Sequence, residues 1–351
     1  MLARINRFQR VVYLGLFVCA VALRAAAAEQ KFAELGDFKL ESGGVIKDCR
    51  IGYRTFGSIN ADKSNVVAYL MWAGGKTEQL HLEPSDGGKL IDTSKYYVIA
   101  IDPLSNGVSS SPSNSRAQPR MKFPEYTMRD VVKAEYTMLS KLGIRQVLAV
   151  TGVSMGGMQS FQWMVSYPDF AQKILPIVGS PQLAAYDLVH WQMQLDAITN
   201  DRRWNNGNYT EMPALSAEYE FGAVLLTTPE NYNHQTTRAK ALEALKNAGS
   251  NTAFDACNKL RQVQAMMSID ITEKFGGSWE KAAAAVKANV LVIAARQDHV
   301  VTPLPALEFA KMLKVKTLLL EGECGHLAPS CESEKVNTVA ADFFDGTIRM
   351  F

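Results

Sequence analysis

The sequence has no internal repeat, no low-complexity stretch and no cysteine or histidine spacing that suits a metal. Repeat architectures and zinc modules are thereby set aside. A charge imbalance is missing too: 37 Lys and Arg stand against 35 Asp and Glu, a formal net charge of +2. Nucleic acid is therefore not an expected partner. Nor does the apolar run near the start, VVYLGLFVCAVAL, reach the roughly 20 residues a membrane-spanning helix needs. Nothing in the chain calls for a cofactor.

That run is preceded by Arg4, Arg7 and Arg10 and followed by AAAAEQ, the order of a secretory signal peptide. Residues 1–28 are expected to be removed, leaving a mature chain that starts near Glu29 and has no stable membrane span. Arg24, between the apolar run and the alanines, is untypical and leaves room for an uncleaved anchor. A lipid anchor at Cys19 is disfavoured by the bulky Val18 before it. Losing four arginines and no acid moves the formal charge to −2. The expected location is secreted or periplasmic. There the four remaining cysteines, Cys49, Cys257, Cys324 and Cys331, can bridge, and Cys324 with Cys331 bracket a short loop. The alternative is two buried free thiols.

With 47% hydrophobic residues the chain can bury a full core, in one large domain or two. Six runs read as strands buried on both faces, at residues 65–72, 96–102, 146–152, 173–179, 289–295 and 316–322. Helical patterns at 127–143, 303–314 and 333–345 alternate with them, so a mostly parallel α/β sheet flanked by helices is expected. The interval 182–286 breaks that alternation. It holds helical patterns only, and reads as a lid inserted between two parts of a catalytic domain, 29–181 and 287–351. Its large groups, Trp191, Met193, Trp204, Tyr209, Met212, Tyr219 and Phe221, are expected to form mainly its own core, with a few facing the active site.

The stretch AVTGVSMGGMQSFQW joins the end of one strand to the start of a helix. A G-x-S-x-G pattern occurs by chance in about one chain in ten of this length, so the pattern alone is weak. Its place between strand and helix makes it a nucleophile elbow, with Ser154 held out and the Met155 main-chain N–H aimed at a developing oxyanion. A serine hydroxyl needs a base, and the base an orienting acid. Asp298 follows the strand NVLVIAA and His326 follows KTLLLEG, the order acid then histidine that such sheets use. His81, His190 and His234 fall in loop or lid positions, and His299 adjoins the acid. A second oxyanion donor is expected from Trp72 or Ala73 in WAGGKT; its glycines read equally as a plain tight turn.

GVSMGGMQSFQW, DVVKAEYTMLSKLGI, FKLESGGVIKDCRIGYRTFGSINADKSN and HWQMQLDAITNDRRWNNGNY together resemble the homoserine O-acetyltransferase family, over most of residues 32–345. DPLSNGVSSSPSN and WAGGKTEQL are similar to a less characterised branch of it. The resemblance implies an α/β-hydrolase fold with a helical lid, a triad of Ser154, Asp298 and His326, and transfer through an acyl-Ser154 intermediate. Two departures bear on substrate. Where the homoserine enzymes carry an aspartate after the catalytic histidine this chain has Leu327, and the region AEYEFGAVLLTTPENY lacks their carboxylate-clamping arginine. Without those ion pairs a polar amino acid should bind worse by orders of magnitude. An acyl-CoA donor is also not expected outside the cytoplasm. The sequence thus favours hydrolysis of a small ester or related acyl substrate. Acyl transfer to a small hydroxyl, amine or thiol, and non-catalytic binding on a hydrolase fold, are the alternatives. Oligomeric state, a homodimer included, stays open.

Overall fold

Strands rich in Val, Ile, Leu and Ala are satisfied in the middle of a covered sheet, with more polar strands left for its edge. In the computed structural model, which describes residues 28–80, 89–213, 216–247 and 254–347, they form one eight-stranded sheet. Its strands are β1 (Lys31–Lys39), β2 (Val45–Phe56), β3 (Val66–Leu70), β4 (Tyr97–Ile101), β5 (Val147–Val153), β6 (Ala171–Ile177), β7 (Asn289–Ala295) and β8 (Lys316–Leu320). They lie in the order β1-β2-β4-β3-β5-β6-β7-β8. From β4 to β8 all neighbours are parallel; β1 and β2 add antiparallel at one edge. The proposed export segment lies outside the described residues. No helix of the described residues is long and apolar enough to cross a membrane.

Helices α1 (Met128–Lys141), α2 (Met155–Ser166), α3 (Ala185–Thr199), α4 (Ser216–Leu225), α5 (Pro229–Gln235), α6 (Arg238–Asn247), α7 (Ala256–Met267), α8 (Trp279–Ala285), α9 (Leu304–Leu313), α10 (Ala328–Cys331) and α11 (Ser333–Asp345) complete the chain. Alternation along each strand divides the core in two. Val66, Ala68 and Leu70 face one layer with Met138 of α1, Phe161 and Trp163 of α2 and Phe309 of α9. Val67 and Tyr69 face the other, with Val336, Phe343 and Phe344 of α11. Fully burying each such side chain is worth about 1.5–3 kcal/mol, and a one-residue slip would turn every strand inside out. At the start of α1, Thr127 and Asp130 cap each other: the Asp130 N–H donates to Thr127 Oγ1 at 3.3 Å and the Thr127 N–H to Asp130 Oδ2 at 3.0 Å.

The six expected strands and the three flanking helices lie where the sequence places them, to within a few residues. The hairpin β1–β2 was not among them. Between β6 and β7 the structure separates two kinds of helix. Val263, Ala265 and Met266 of α7 and Ala282 of α8 join the main core, whereas α5 and α6 contain no buried residue. Trp204 and Tyr209 pack with Ile198, Cys257 and Leu260 in a satellite core, while Met193 is exposed; the Tyr219 side chain lies outside the described residues. Cys49 and Cys257 are free and buried, and Cys324 is bridged to Cys331.

Candidate active site

Strand β5 ends at Val153 and α2 begins at Met155, so Ser154 alone makes the turn, with φ 60° and ψ −117°. A side chain held in that region costs of order 1–3 kcal/mol. The strain is tolerated because both flanks are locked. The Ser154 N–H donates to the Ile177 carbonyl at 2.9 Å, and α2 crosses β3 so closely that a Cβ on Gly156 would sit 2.2 Å from the Leu70 carbonyl oxygen. Only glycine permits that approach.

The turn lifts Ser154 Oγ toward two loops from the far end of the sheet. Its hydroxyl donates to His326 Nε2 at 2.8 Å, and His326 Nδ1–H donates to Asp298 Oδ2 at 2.7 Å. The other carboxylate oxygen, Asp298 Oδ1, accepts from the Val300 and Val301 N–H groups at 2.8 and 2.9 Å. Both members of the pair are nearly sealed from solvent, His326 at 8% exposure and Asp298 at 3%. The structure thus brings together the three residues singled out in the sequence. His326 also sits inside the loop closed by Cys324 and Cys331, seven residues apart.

Met155 is the first residue of α2, and Trp72 and Ala73 line the same cavity as Ser154. In the WAGGKT turn the Gly74 N–H is taken by Gln262 Oε1 at 2.8 Å and the Gly75 N–H by the Trp72 carbonyl at 3.0 Å. The Lys76 N–H goes to Gln79 Oε1 at 2.7 Å and the Thr77 N–H to Asp102, so among the described residues Trp72 and Ala73 are the N–H groups of this turn that remain. The turn is fastened at both ends: Gln159 Nε2 donates to the Met71 carbonyl at 3.1 Å, and the Thr77 N–H and hydroxyl donate to the buried Asp102 carboxylate at 2.9 and 2.8 Å.

Several residues here carry no motif. Gln262 of α7 accepts from Gly74 and donates to the Leu104 carbonyl at 2.9 Å, bridging the loops after β3 and β4. His190 of α3 donates through Nε2 to the Val300 carbonyl at 2.8 Å, and burial lowers its pKa and keeps it neutral. Asp187, one turn earlier, accepts from the Thr302 N–H and hydroxyl at 3.1 and 3.0 Å. So α3 grips the loop whose amides hold Asp298. No sequence signal marks them, because none belongs to a motif or to an expected chain order, and each acts on a partner more than 100 residues away. His234 is exposed and 3.6 Å from Glu323, His299 is only half-buried, and His81 lies outside the described residues.

Ser154 and His326 open into a cavity of about 600 Å³. Its walls are mostly apolar, with Trp191, Phe221, Leu225 and Leu226 from the insert facing Val153 and Ile177 from the sheet. Among the described residues no group of His, Cys, Asp and Glu could hold a metal ion. A mostly apolar site with a serine hydroxyl bonded to an oriented imidazole, and with main-chain N–H groups nearby, can form and break acyl bonds.

Comparison with known proteins places this geometry. Residues 79–330 match the α/β-hydrolase fold family. The chain is 29% identical to the ethyl acetate hydrolase of Pseudomonas veronii, with 80% of this chain and 83% of that one covered. It is 28% identical to the homoserine O-acetyltransferase of Methanosalsum zhilinae, over 90% of this chain and 73% of that protein. In three dimensions it superposes on an acetylester hydrolase from Corynebacterium glutamicum with a TM-score of 0.83 at 24% identity, covering 90% and 96% of the two chains. The chain belongs to the α/β-hydrolase fold family and is an enzyme whose relatives include esterases and homoserine O-acetyltransferases.

Proposed function

We propose that this enzyme is a serine acyl hydrolase that cleaves a small ester through an acyl-Ser154 intermediate. The observation that carries the reading is the unbroken chain Asp298–His326–Ser154, at 2.7 and 2.8 Å, ending in an apolar cavity. Ser154 Oγ attacks the ester carbonyl carbon as His326 Nε2 takes its proton, and Asp298 stabilises the imidazolium. The oxyanion is held by the Met155 N–H and by Trp72 or Ala73. Collapse expels the alcohol, which takes the proton from His326, and leaves the acyl group on Ser154. Water then gives a proton to His326 and attacks the acyl carbon, releasing the acid and restoring Ser154.

Water is favoured as acceptor because the wall beside the base is apolar. Leu327, 44% exposed, lines the cavity next to His326, where the resemblance would put the aspartate of the homoserine enzymes. We also propose that α4–α6 act as a lid, and that the chain is exported with residues 1–28 removed. The signal-like start and the Cys324–Cys331 bridge support that location. A mature N-terminus at Met1 would overturn export.

The test is rapid mixing of the mature enzyme with nitrophenyl acetate. A burst of nitrophenol equal to the enzyme concentration, lost in Ser154→Ala, is expected; no burst, or one that survives in the variant, sinks the serine mechanism in favour of a binding role. Adding homoserine, alcohols, amines or thiols should leave turnover unchanged. Faster turnover with an acylated product would instead make it a transferase.

A further inference from the structure

Two buried polar side chains on the cavity wall have no part in the acyl-transfer steps. Tyr69 of β3 and Gln194 of α3 line the same cavity as Ser154 and His326, at 4% and 7% exposure. Among the described residues neither the Tyr69 hydroxyl nor the Gln194 amide has a hydrogen-bond partner. Other orphaned groups nearby differ in kind. Trp191 Nε1 and His190 Nδ1 are unpartnered and closed off by packing, whereas the polar atoms of Tyr69 and Gln194 keep accessible surface. That surface faces the cavity, so what meets these groups enters with the ligand or its solvent.

Charge narrows the ligand. Among the described residues no carboxylate lines the cavity, so an ammonium group would find no counter-ion there. The one lysine on the wall, Lys259, already has an interaction of its own. Burial raises the Tyr69 pKa, which keeps the phenol neutral and able both to donate and to accept. An amide does the same with two separate atoms. One group comes from the sheet and the other from the insert, so they approach a substrate bound at Ser154 from two different elements. A cavity of about 600 Å³ also has room for more than a two-carbon acyl group and a small alcohol.

We infer that the natural substrate is an uncharged ester carrying a neutral hydrogen-bonding group, such as a hydroxyl or amide, besides the ester itself, and that Tyr69 and Gln194 recognise that group. This rests on the acyl-transfer reading above and adds the substrate class to it. A hydrogen bond between neutral partners is worth about 0.5–1.5 kcal/mol, so each should give a preference of about three- to tenfold over a substrate that lacks the group.

The experiment uses two pairs of esters that differ by one hydroxyl: nitrophenyl butanoate with nitrophenyl 3-hydroxybutanoate, and butyl acetate with 4-hydroxybutyl acetate. The ratio of kcat/KM within each pair is measured for the wild type, Tyr69→Phe and Gln194→Leu. A ratio taken on one preparation cancels the amount of correctly folded enzyme. The wild type is expected to prefer the hydroxylated member of at least one pair by three- to tenfold, and one of the two variants to bring that ratio close to one. Ser154-dependent turnover with no preference, or with a preference both variants retain, overturns the subsites alone. Turnover that does not depend on Ser154 overturns the acyl-transfer reading on which they rest.

Discussion

Helices α6 and α7 belong to the same insert, yet they are attached to the molecule in opposite ways. None of the ten residues of α6 is buried. In α7 three polar residues, Asn258, Arg261 and Gln262, go inside. Asn258 donates through Nδ2 to Ser113 Oγ at 2.8 Å, Arg261 donates to the Phe123 carbonyl at 2.9 and 3.1 Å, and Gln262 bridges Gly74 and Leu104. A buried polar group tolerates no loosening, because every broken bond leaves an unpaired partner behind. The interval between β6 and β7 is therefore two objects. One is held loosely at the surface; the other is fastened to the loops after β3 and β4.

The widest difference should come from hydrogen exchange. Amides of α6 are expected to exchange about a thousandfold faster than those of α7, since local opening of α6 breaks few tertiary contacts. Equal protection would erase the distinction. Next comes Gln262→Met, which strands the Gly74 N–H and the Leu104 carbonyl. At about 1–3 kcal/mol for each lost partner, kcat should fall about 100-fold with KM within about twofold. A rise in KM alone would show that α7 shapes binding and not the oxyanion turn.

Glu135 in α1 sharpens the contrast from the body side. Burial raises its carboxyl pKa to about 8, although Trp163 Nε1–H donates to it at 3.0 Å. The folded chain thus takes up a proton that the unfolded chain releases near 4.5. The stability this protonation brings is complete below that value and is lost as pH rises through about 8. Glu135→Gln should flatten the loss, seen as unfolding midpoints in denaturant that no longer fall between pH 5 and 8. An unchanged pH slope would mean the carboxylate is satisfied. Smallest of all, Lys240→Ala on exposed α6 should shift stability by no more than about 0.5 kcal/mol; a larger change would mean that α6 is not loosely attached.

What could be read in advance follows from these differences in range. The parallel strands were legible because a strand covered on both faces must be apolar throughout, and the elbow because Gly152, Ser154 and Gly156 fall where strand meets helix. The hairpin β1–β2 escaped because it is an edge. Its apolar residues alternate with Lys, Glu, Asp and Arg, and bulges at Gly36 break the period. In β2 the apolar residues alternate regularly only from Cys49 to Tyr53. Asp298 and His326 were found by chain order, but Gln262 and His190 were not. Glutamine in a helix has no pattern of its own, and its role exists only once the chain has brought Gly74 and Leu104 together.

The bridge between Cys324 and Cys331 puts His326, the proposed base, inside a small covalent ring. Where and how the chain is made then becomes part of its chemistry. Enzyme prepared with reductant and enzyme prepared without it share a sequence but differ in the link that frames His326. Their specific activities are properties of two distinct covalent species, and a figure quoted for one does not transfer to the other.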